Sequence, residues 1–268
     1  MPYANVNGVR LGYEVHGAGD PVLLVMGAGG LGRTWHIHQV PALVSAGYRV
    51  ITFDNRGLPA NGPCPGEFGL DDMVADTISL LDTLGIARCH AVGVSLGSMI
   101  LQEVALARPG LLSRCVLLAT RGRTDAFRAA IVAAELDLLE RGLSLPGPTS
   151  GVLRALLNLS PATLDDPARV RDWLDVFEMS APAAGPGIRS QLLATLIPDR
   201  LEELSKIETA GLVVAFEHDR LTPPRLGREV ADRIPGCEYA MVPDTGHYGH
   251  LESPKTVNAH ILDFLSGP

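Results

Sequence analysis

The sequence predicts an α/β fold: a mostly parallel sheet of eight strands flanked by helices, with a helical segment inserted after the sixth strand. Three observations lead there. Short apolar runs alternate with segments of helical period along most of the 268 residues. The pentapeptide Gly93-Val94-Ser95-Leu96-Gly97 lies between a strand-like run and a helix-like one. From about 121 to 205 the alternation stops, and only helical patterns remain.

The first two strands, Ala4 to Val6 and Arg10 to His16, are separated by Asn7-Gly8, a dipeptide suited to the positive φ angles of a two-residue hairpin. Val22 to Met26 reads as a buried strand followed by the glycine-rich loop Gly27-Ala28-Gly29-Gly30, and Arg49 to Phe53 is the next strand. Leu70 to Leu84 repeats apolar residues every three or four positions and reads as a helix. Cys89 to Val94 is a strand. The helix through Met99 to Ala107 stops at Pro109-Gly110. Cys115 to Ala119 is the sixth strand.

Within the interruption, Phe127–Leu139, Val152–Leu159, Val170–Met179 and Ser190–Leu196 have helical patterns, divided by stretches such as Leu145-Pro146-Gly147-Pro148. The organisation expected is an α/β core in 1–120 and 206–268, with a helical cap in 121–205. A cap would lie over the pentapeptide and shape a substrate pocket, with Met179, Phe177, Trp173 and Leu157 as candidate wall residues or as ordinary core. Leu212 to Glu217 and Tyr239 to Val242 complete the sheet, and Ser253 through Leu265 is the closing helix.

Strand, tight turn with a serine at its tip, then helix is what a nucleophile elbow requires. The flanking glycines let the chain reverse without a Cβ clash. A serine hydroxyl needs a base, and the base needs an orienting acid. His247 falls just past the carboxyl end of the last strand and is the candidate base. Asp219, just past Leu212 to Glu217 and before Thr222-Pro223-Pro224, is the candidate acid; Glu217 and Asp244 are its rivals. All three candidates lie where open α/β sheets gather their sites.

Backbone N–H groups must stabilise the developing oxyanion. The expected donors are Leu96 and Ala28, with Gly29 as the alternative to Ala28. The run Gly27 to Gly32 also approximates a shifted G-x-G-x-x-G, but two strand-like segments precede it and no ribose-binding acid follows cleanly, so no nucleotide cofactor is expected. His36 and His38 form an H-x-H pair with no carboxylate or cysteine at matching spacing, so no metal is expected either. His218 and His250 flank the candidate base and acid without replacing them.

On these residues the chain resembles the α/β-hydrolase superfamily over nearly its whole length. The order Ser95, Asp219, His247 is the superfamily's order. Met26-Gly27 stands where His-Gly is usual, and Asp54-Asn55-Arg56-Gly57 resembles the Asp-x-Arg-Gly segment, departing after it at Leu58-Pro59-Ala60-Asn61. The nearest groups in look are small-molecule esterases and lactonases, including polyketide methylesterases. The resemblance implies two-step acyl transfer. Ser95 attacks with His247 as base, Asp219 stabilises the imidazolium, the two N–H groups hold the oxyanion, and water releases the acyl group. Serine in place of aspartate at the elbow speaks against dehalogenase or epoxide-hydrolase chemistry. The expected substrate is a small apolar ester, lactone or thioester. Carbon–carbon hydrolysis, a lyase or cyclase step, amide cleavage, or a non-catalytic binding role remain as alternatives.

Bulk properties narrow the partners. A net charge of −8 speaks against nucleic acid, leaving a small-molecule substrate. No apolar stretch is long enough to span a bilayer, and no signal-peptide pattern opens the chain. Cys64, Cys89, Cys115 and Cys237 show no C-x-x-C spacing and read as reduced, which suggests a cytoplasmic protein. The excess of Arg over Lys, with abundant Ala, Gly and Pro, suggests a GC-rich bacterial genome. A homodimer is compatible with the sequence, which carries no signal for or against it.

Overall fold

The computed structural model describes residues 1–63, 66–179 and 185–267. Eight strands form one sheet in the order β1-β2-β4-β3-β5-β6-β7-β8. They are β1 (Tyr3–Val6), β2 (Val9–His16), β3 (Pro21–Val25), β4 (Arg49–Phe53), β5 (Cys89–Val94), β6 (Leu112–Leu118), β7 (Ala210–Phe216) and β8 (Glu238–Val242). The pairs β1–β2 and β2–β4 are antiparallel. All pairs from β4 to β8 are parallel. The eight-stranded, mostly parallel sheet is the one the sequence predicts.

Asn7 and Gly8 both have positive φ, 43° and 76°, and Val6 pairs with Val9, so the first hairpin closes on a two-residue turn. Between β3 and β4 the chain forms a 3-10 turn over Gly32–Ile37 and α1 (Gln39–Ser45). α2 (Leu70–Thr83) follows β4, and α3 (Leu96–Ala107) follows β5. Among the described residues, the regular structure between β6 and β7 is all helical: α4 (Ala126–Glu140), α5 (Gly147–Asn158), α6 (Pro161–Leu164), α7 (Pro167–Met179), α8 (Pro186–Ala194) and α9 (Leu201–Leu204). The chain then returns through α10 (Pro224–Arg233), α11 (Gly249–Glu252) and α12 (Pro254–Ser266).

Strand alternation divides the core. Leu23, Val25, Ile51, Phe53 and Ala91 face one layer with α2, α3 and α10. Val22, Leu24, Val50, Val92 and Val116 face the other, with Trp35, Leu43, Val257 and Ile261. Both faces are covered, so the parallel strands read as near-continuous apolar runs. Each valine, leucine, isoleucine or phenylalanine among them, taken fully out of water, contributes about 1.5–3 kcal/mol.

The predicted wall residues fare differently. Met179 points outward and is 88% exposed. Phe177 and Trp173 stack on each other and on Tyr248, with centroids 5.4–6.1 Å apart, in a small core of the helical segment. Leu157 is half-buried. Cys89 and Cys115 are buried free thiols, and Cys237 is a partly buried one. Burial pushes the Cys89 thiol up to about 12 and that of Cys237 to about 11. Cys64 lies outside the described residues.

Candidate active site

Ser95 follows β5 directly and adopts φ 54°, ψ −120°, a conformation that L-residues rarely hold. The flanking glycines permit it. A Cβ on Gly93 would stand 2.5 Å from Gly97 O, and one on Gly97 would collide with Val25 O. The backbone is locked by Ser95 N–H donating to Leu118 O at 3.0 Å and by Ser98 N–H donating to Ser95 O at 2.9 Å. Leu96 opens α3, where first-turn N–H groups lack intrahelical acceptors.

Asp219 lies three residues past β7, buried at 4% exposure. Its Oδ1 accepts the N–H groups of Leu221 and Thr222 at 2.8 and 2.9 Å. Its Oδ2 accepts the Thr222 hydroxyl at 2.6 Å and His247 Nδ1–H at 2.7 Å. A carboxylate only accepts, so that last contact fixes the imidazole proton on Nδ1 and leaves Nε2 as the basic nitrogen. The rival acids are engaged elsewhere: exposed Glu217 accepts the Asp244 N–H at 3.0 Å, with His218 alongside both.

The loop carrying His247 is held from two sides. Glu252 accepts Gly246 N–H at 2.6 Å, and its other oxygen accepts the Ser160 N–H and hydroxyl at 2.9 and 2.8 Å. Tyr248 N–H donates to Asn158 O at 3.1 Å. Both partners, Asn158 and Ser160, belong to the insertion.

The glycine-rich loop approaches the serine closely: a Cβ on Gly27 would stand 3.1 Å from Ser95 Cβ and 3.7 Å from Ser95 Oγ. Its frame comes from residues whose roles sequence reading missed. Asn55 Nδ2 donates to Met26 O at 2.9 Å, and Asp54 Oδ1 accepts Gly32 N–H at 2.7 Å. Asn61 Nδ2 donates to Asp54 O and Asn55 O at 2.8 and 3.0 Å, so the unusual Leu58 to Asn61 continuation braces this turn. Gln191, fully buried on α8, accepts Gly29 N–H at 2.7 Å and donates to Arg56 O at 2.6 Å. Gly29 is thereby committed, and of the two candidate donors in this loop Ala28 is the one without that tie.

His250 is buried beside Trp35, and burial with the neighbouring His247 and His38 pushes its imidazole down to about 3. It stays neutral. His36 meets His16 and Glu14, not His38; these three residues bring donor atoms within 4.8 Å of one another, as do Glu217, His218 and Asp244. His36 is also within 3.1 Å of Thr52 Oγ1. An open cavity of about 590 Å³ lined by Tyr48, His90 and Arg114 lies at the amino-terminal ends of the strands, away from Ser95.

A buried carboxylate–imidazole pair and a strained serine, each at the carboxyl end of a parallel strand, define the hydrolase class of α/β protein. The alpha/beta hydrolase family model matches residues 15–260, and the chain belongs to that family. The crystal structure of a Mycobacterium tuberculosis H37Rv protein that bears the provisional name non-heme bromoperoxidase BpoC is similar at a TM-score of 0.93 and 45% identity, covering 96% of this chain and 95% of that one. A Stutzerimonas stutzeri protein provisionally named carbamate hydrolase RutD is 31% identical, covering 95% of this chain and 96% of its own. The enol-lactonase from Burkholderia xenovorans LB400 has a TM-score of 0.80 and 26% identity, covering 99% of this chain and all of that one. Among the described residues, no helix is long and apolar enough to cross a membrane.

Proposed function

We propose that the protein is a serine hydrolase that cleaves a small ester, lactone or thioester through an acyl-enzyme on Ser95. The observation that carries this reading is the buried 2.7 Å hydrogen bond from His247 Nδ1–H to Asp219. It presents Nε2 as a base, while the elbow conformation of Ser95 aims a hydroxyl out of the sheet end. His247 takes the Ser95 proton as Oγ attacks the carbonyl carbon. Asp219 stabilises the imidazolium, and His247 returns the proton to the leaving oxygen or sulfur. Water, activated by the same imidazole, then releases the acid and restores Ser95. The N–H groups of Leu96 and Ala28 hold the oxyanion, each contributing about 3–4 kcal/mol to the transition state. The helices of 121–205 act as a cap, a role supported by the ties from Gln191, Asn158 and Ser160 to the loops that carry the chemistry. The free thiols fit a reduced, cytoplasmic setting.

The similarity to the enol-lactonase supports a lactone among these substrates. The carbamate hydrolase name raises a second reading, in which the same residues cleave a carbamate. The test is labelling by a fluorophosphonate with peptide mapping, alongside turnover of short-chain 4-nitrophenyl esters and matched carbamates. Labelling confined to Ser95, lost in Ser95→Ala, His247→Ala and Asp219→Ala, is expected. An unlabelled Ser95 in folded protein would rule out the acyl-enzyme.

A further inference from the structure

Arg121 is a buried cation with unfilled hydrogen-bonding capacity. It follows β6, which lies between the strand that leads to Ser95 and the strand that leads to Asp219. Its backbone is fixed to α3: Gln102 Nε2 donates to Arg121 O at 3.2 Å and to Thr120 Oγ1 at 2.7 Å. Ser98 Oγ, in turn, stands 2.8 Å from Thr120 Oγ1 and 2.6 Å from Ser95 O. Arg121 is only 1% exposed. Nη2 donates to Thr195 O, whereas Nε and Nη1 have no acceptor among the described residues.

A second guanidinium lies beside it. Arg128, 9% exposed on α4, donates from Nη2 to Thr195 Oγ1 at 3.2 Å. Burial depresses both arginines, Arg121 to about 10, while the Asp219 carboxylate favours the charged form of each. At about 10, Arg121 remains a cation at neutral pH. Burial raises the phenol of Tyr248, the residue next to His247, and the Glu135 carboxylate, two turns further along α4 than Arg128, adds to that shift. Asp219 itself has both oxygens occupied and is not available to the vacant Nε–H and Nη1–H donors of Arg121.

We propose that this site binds a carboxylate carried by the substrate, with Arg121 as its principal partner and Arg128 alongside. The substrate class is then an ester, lactone or thioester that also bears a free carboxylate, in place of the apolar compound that composition alone predicts. The inference rests on the acyl-enzyme reading for its chemistry, but not for its binding. The vacant Nε–H and Nη1–H groups lie on different edges of the guanidinium, so each can donate singly to an anionic oxygen, and a neutral isostere leaves the buried cation without a counter-charge. Sites of this kind reject analogues lacking the partner group strongly, so a matched neutral ester should lose at least about a hundredfold in kcat/KM.

The experiment is calorimetric titration of the full chain, and of Ser95→Ala, with acetate, butyrate and benzoate against acetamide, butyramide and benzamide. At least one carboxylate should bind about tenfold tighter than its amide in both proteins, and it should slow fluorophosphonate labelling of Ser95 in the wild type. Arg121→Gln should lose that preference, and Arg121→Lys should keep part of it. Equal or undetectable binding within every pair overturns the proposal, as does a preference that persists in folded Arg121→Gln or a bound carboxylate that leaves labelling unchanged. If Arg121→Gln does not fold, the wild-type comparison decides alone. Failure of Ser95 to label, with the carboxylate preference intact, would instead overturn the acyl-enzyme and leave the anion site standing.

Discussion

Gln191 holds Gly29: its side-chain Oε1 accepts the Gly29 N–H at 2.7 Å while its Nε2 donates to Arg56 O at 2.6 Å. One buried amide thus fastens the glycine-rich loop to the turn after β4. Replacing it with leucine keeps the volume but removes the acceptor of the Gly29 N–H and a donor to Arg56 O, and a buried group left unsatisfied costs about 1–3 kcal/mol. Gln191→Leu should therefore lower the urea midpoint and cut kcat for ester hydrolysis about tenfold or more, with less change in KM, because the loop's N–H donors act mainly in the transition state. An unchanged kcat in the folded variant would remove Gln191 from any positioning role.

Arg56 and Asp76 form a buried pair, with side chains 7% and 2% exposed and Arg56 Nε donating to Asp76 Oδ2 at 2.5 Å. Removing the carboxylate leaves a guanidinium deprived of its main buried partner. Asp76→Ala should cost about 3–5 kcal/mol, and the double replacement Arg56→Leu with Asp76→Leu should cost less than Asp76→Ala alone. Chemical denaturation of the three proteins measures this. A double variant less stable than the single one would show that Arg56 matters chiefly through its other contacts, with Asp72 and Asn7 O.

The elements that could be read from the chain are those set by local pattern. Asn7-Gly8 declares its hairpin, and runs such as Val22 to Val25 and Val213 to Phe216 are buried on both faces, so their apolar continuity survives in the sequence. Asp219 stood out as a candidate because it follows such a run, and His247 because it follows the short apolar edge strand β8. The supports were not. Gly29 and Gln191 are 162 residues apart, and Ser160 and Glu252 are 92 apart, so nothing local marks either pair. Short α1, α6 and α9 escaped because one or two turns carry too little periodicity. Met179 was misread for a related reason: an apolar residue at helical spacing does not reveal which side of an inserted helix is covered, and this one faces outward.

His250 makes stability depend on pH. Its folded-state value is about 3 against an ordinary 6.5, with burial the largest cause. Between those values the unfolded chain binds a proton that the folded chain refuses, so stability falls as pH falls. Above about pH 6.5 the contribution vanishes. From pH 6.5 to 5 the wild type should lose about 2 kcal/mol more than His250→Leu, which keeps an apolar body against Trp35. Acids raised by burial, such as Glu135 and Asp54, act with the opposite sign in both proteins and cancel in the difference. Urea denaturation at the two pH values is the measurement, and parallel losses in the two proteins would mean that His250 charges within the fold.

Ser95 holds a backbone conformation that favours glycine, at φ 54° and ψ −120°. Such a residue stores about 1–3 kcal/mol of strain, and glycine relieves it at a cost of about 0.4–1 kcal/mol in unfolded-chain entropy. Ser95→Gly should therefore be more stable than the wild type by about 1 kcal/mol, a rise of about 2–4 °C in Tm. Ser95→Ala keeps its Cβ, and hence the strain, so it should gain little. Both variants should lose at least about a thousandfold of ester hydrolysis if the hydroxyl is the nucleophile. Calorimetry and rate assays on the pair separate the two properties. Equal Tm values for the glycine and alanine variants would mean that the elbow is not strained, and residual turnover near the wild-type rate would mean that another group attacks the carbonyl.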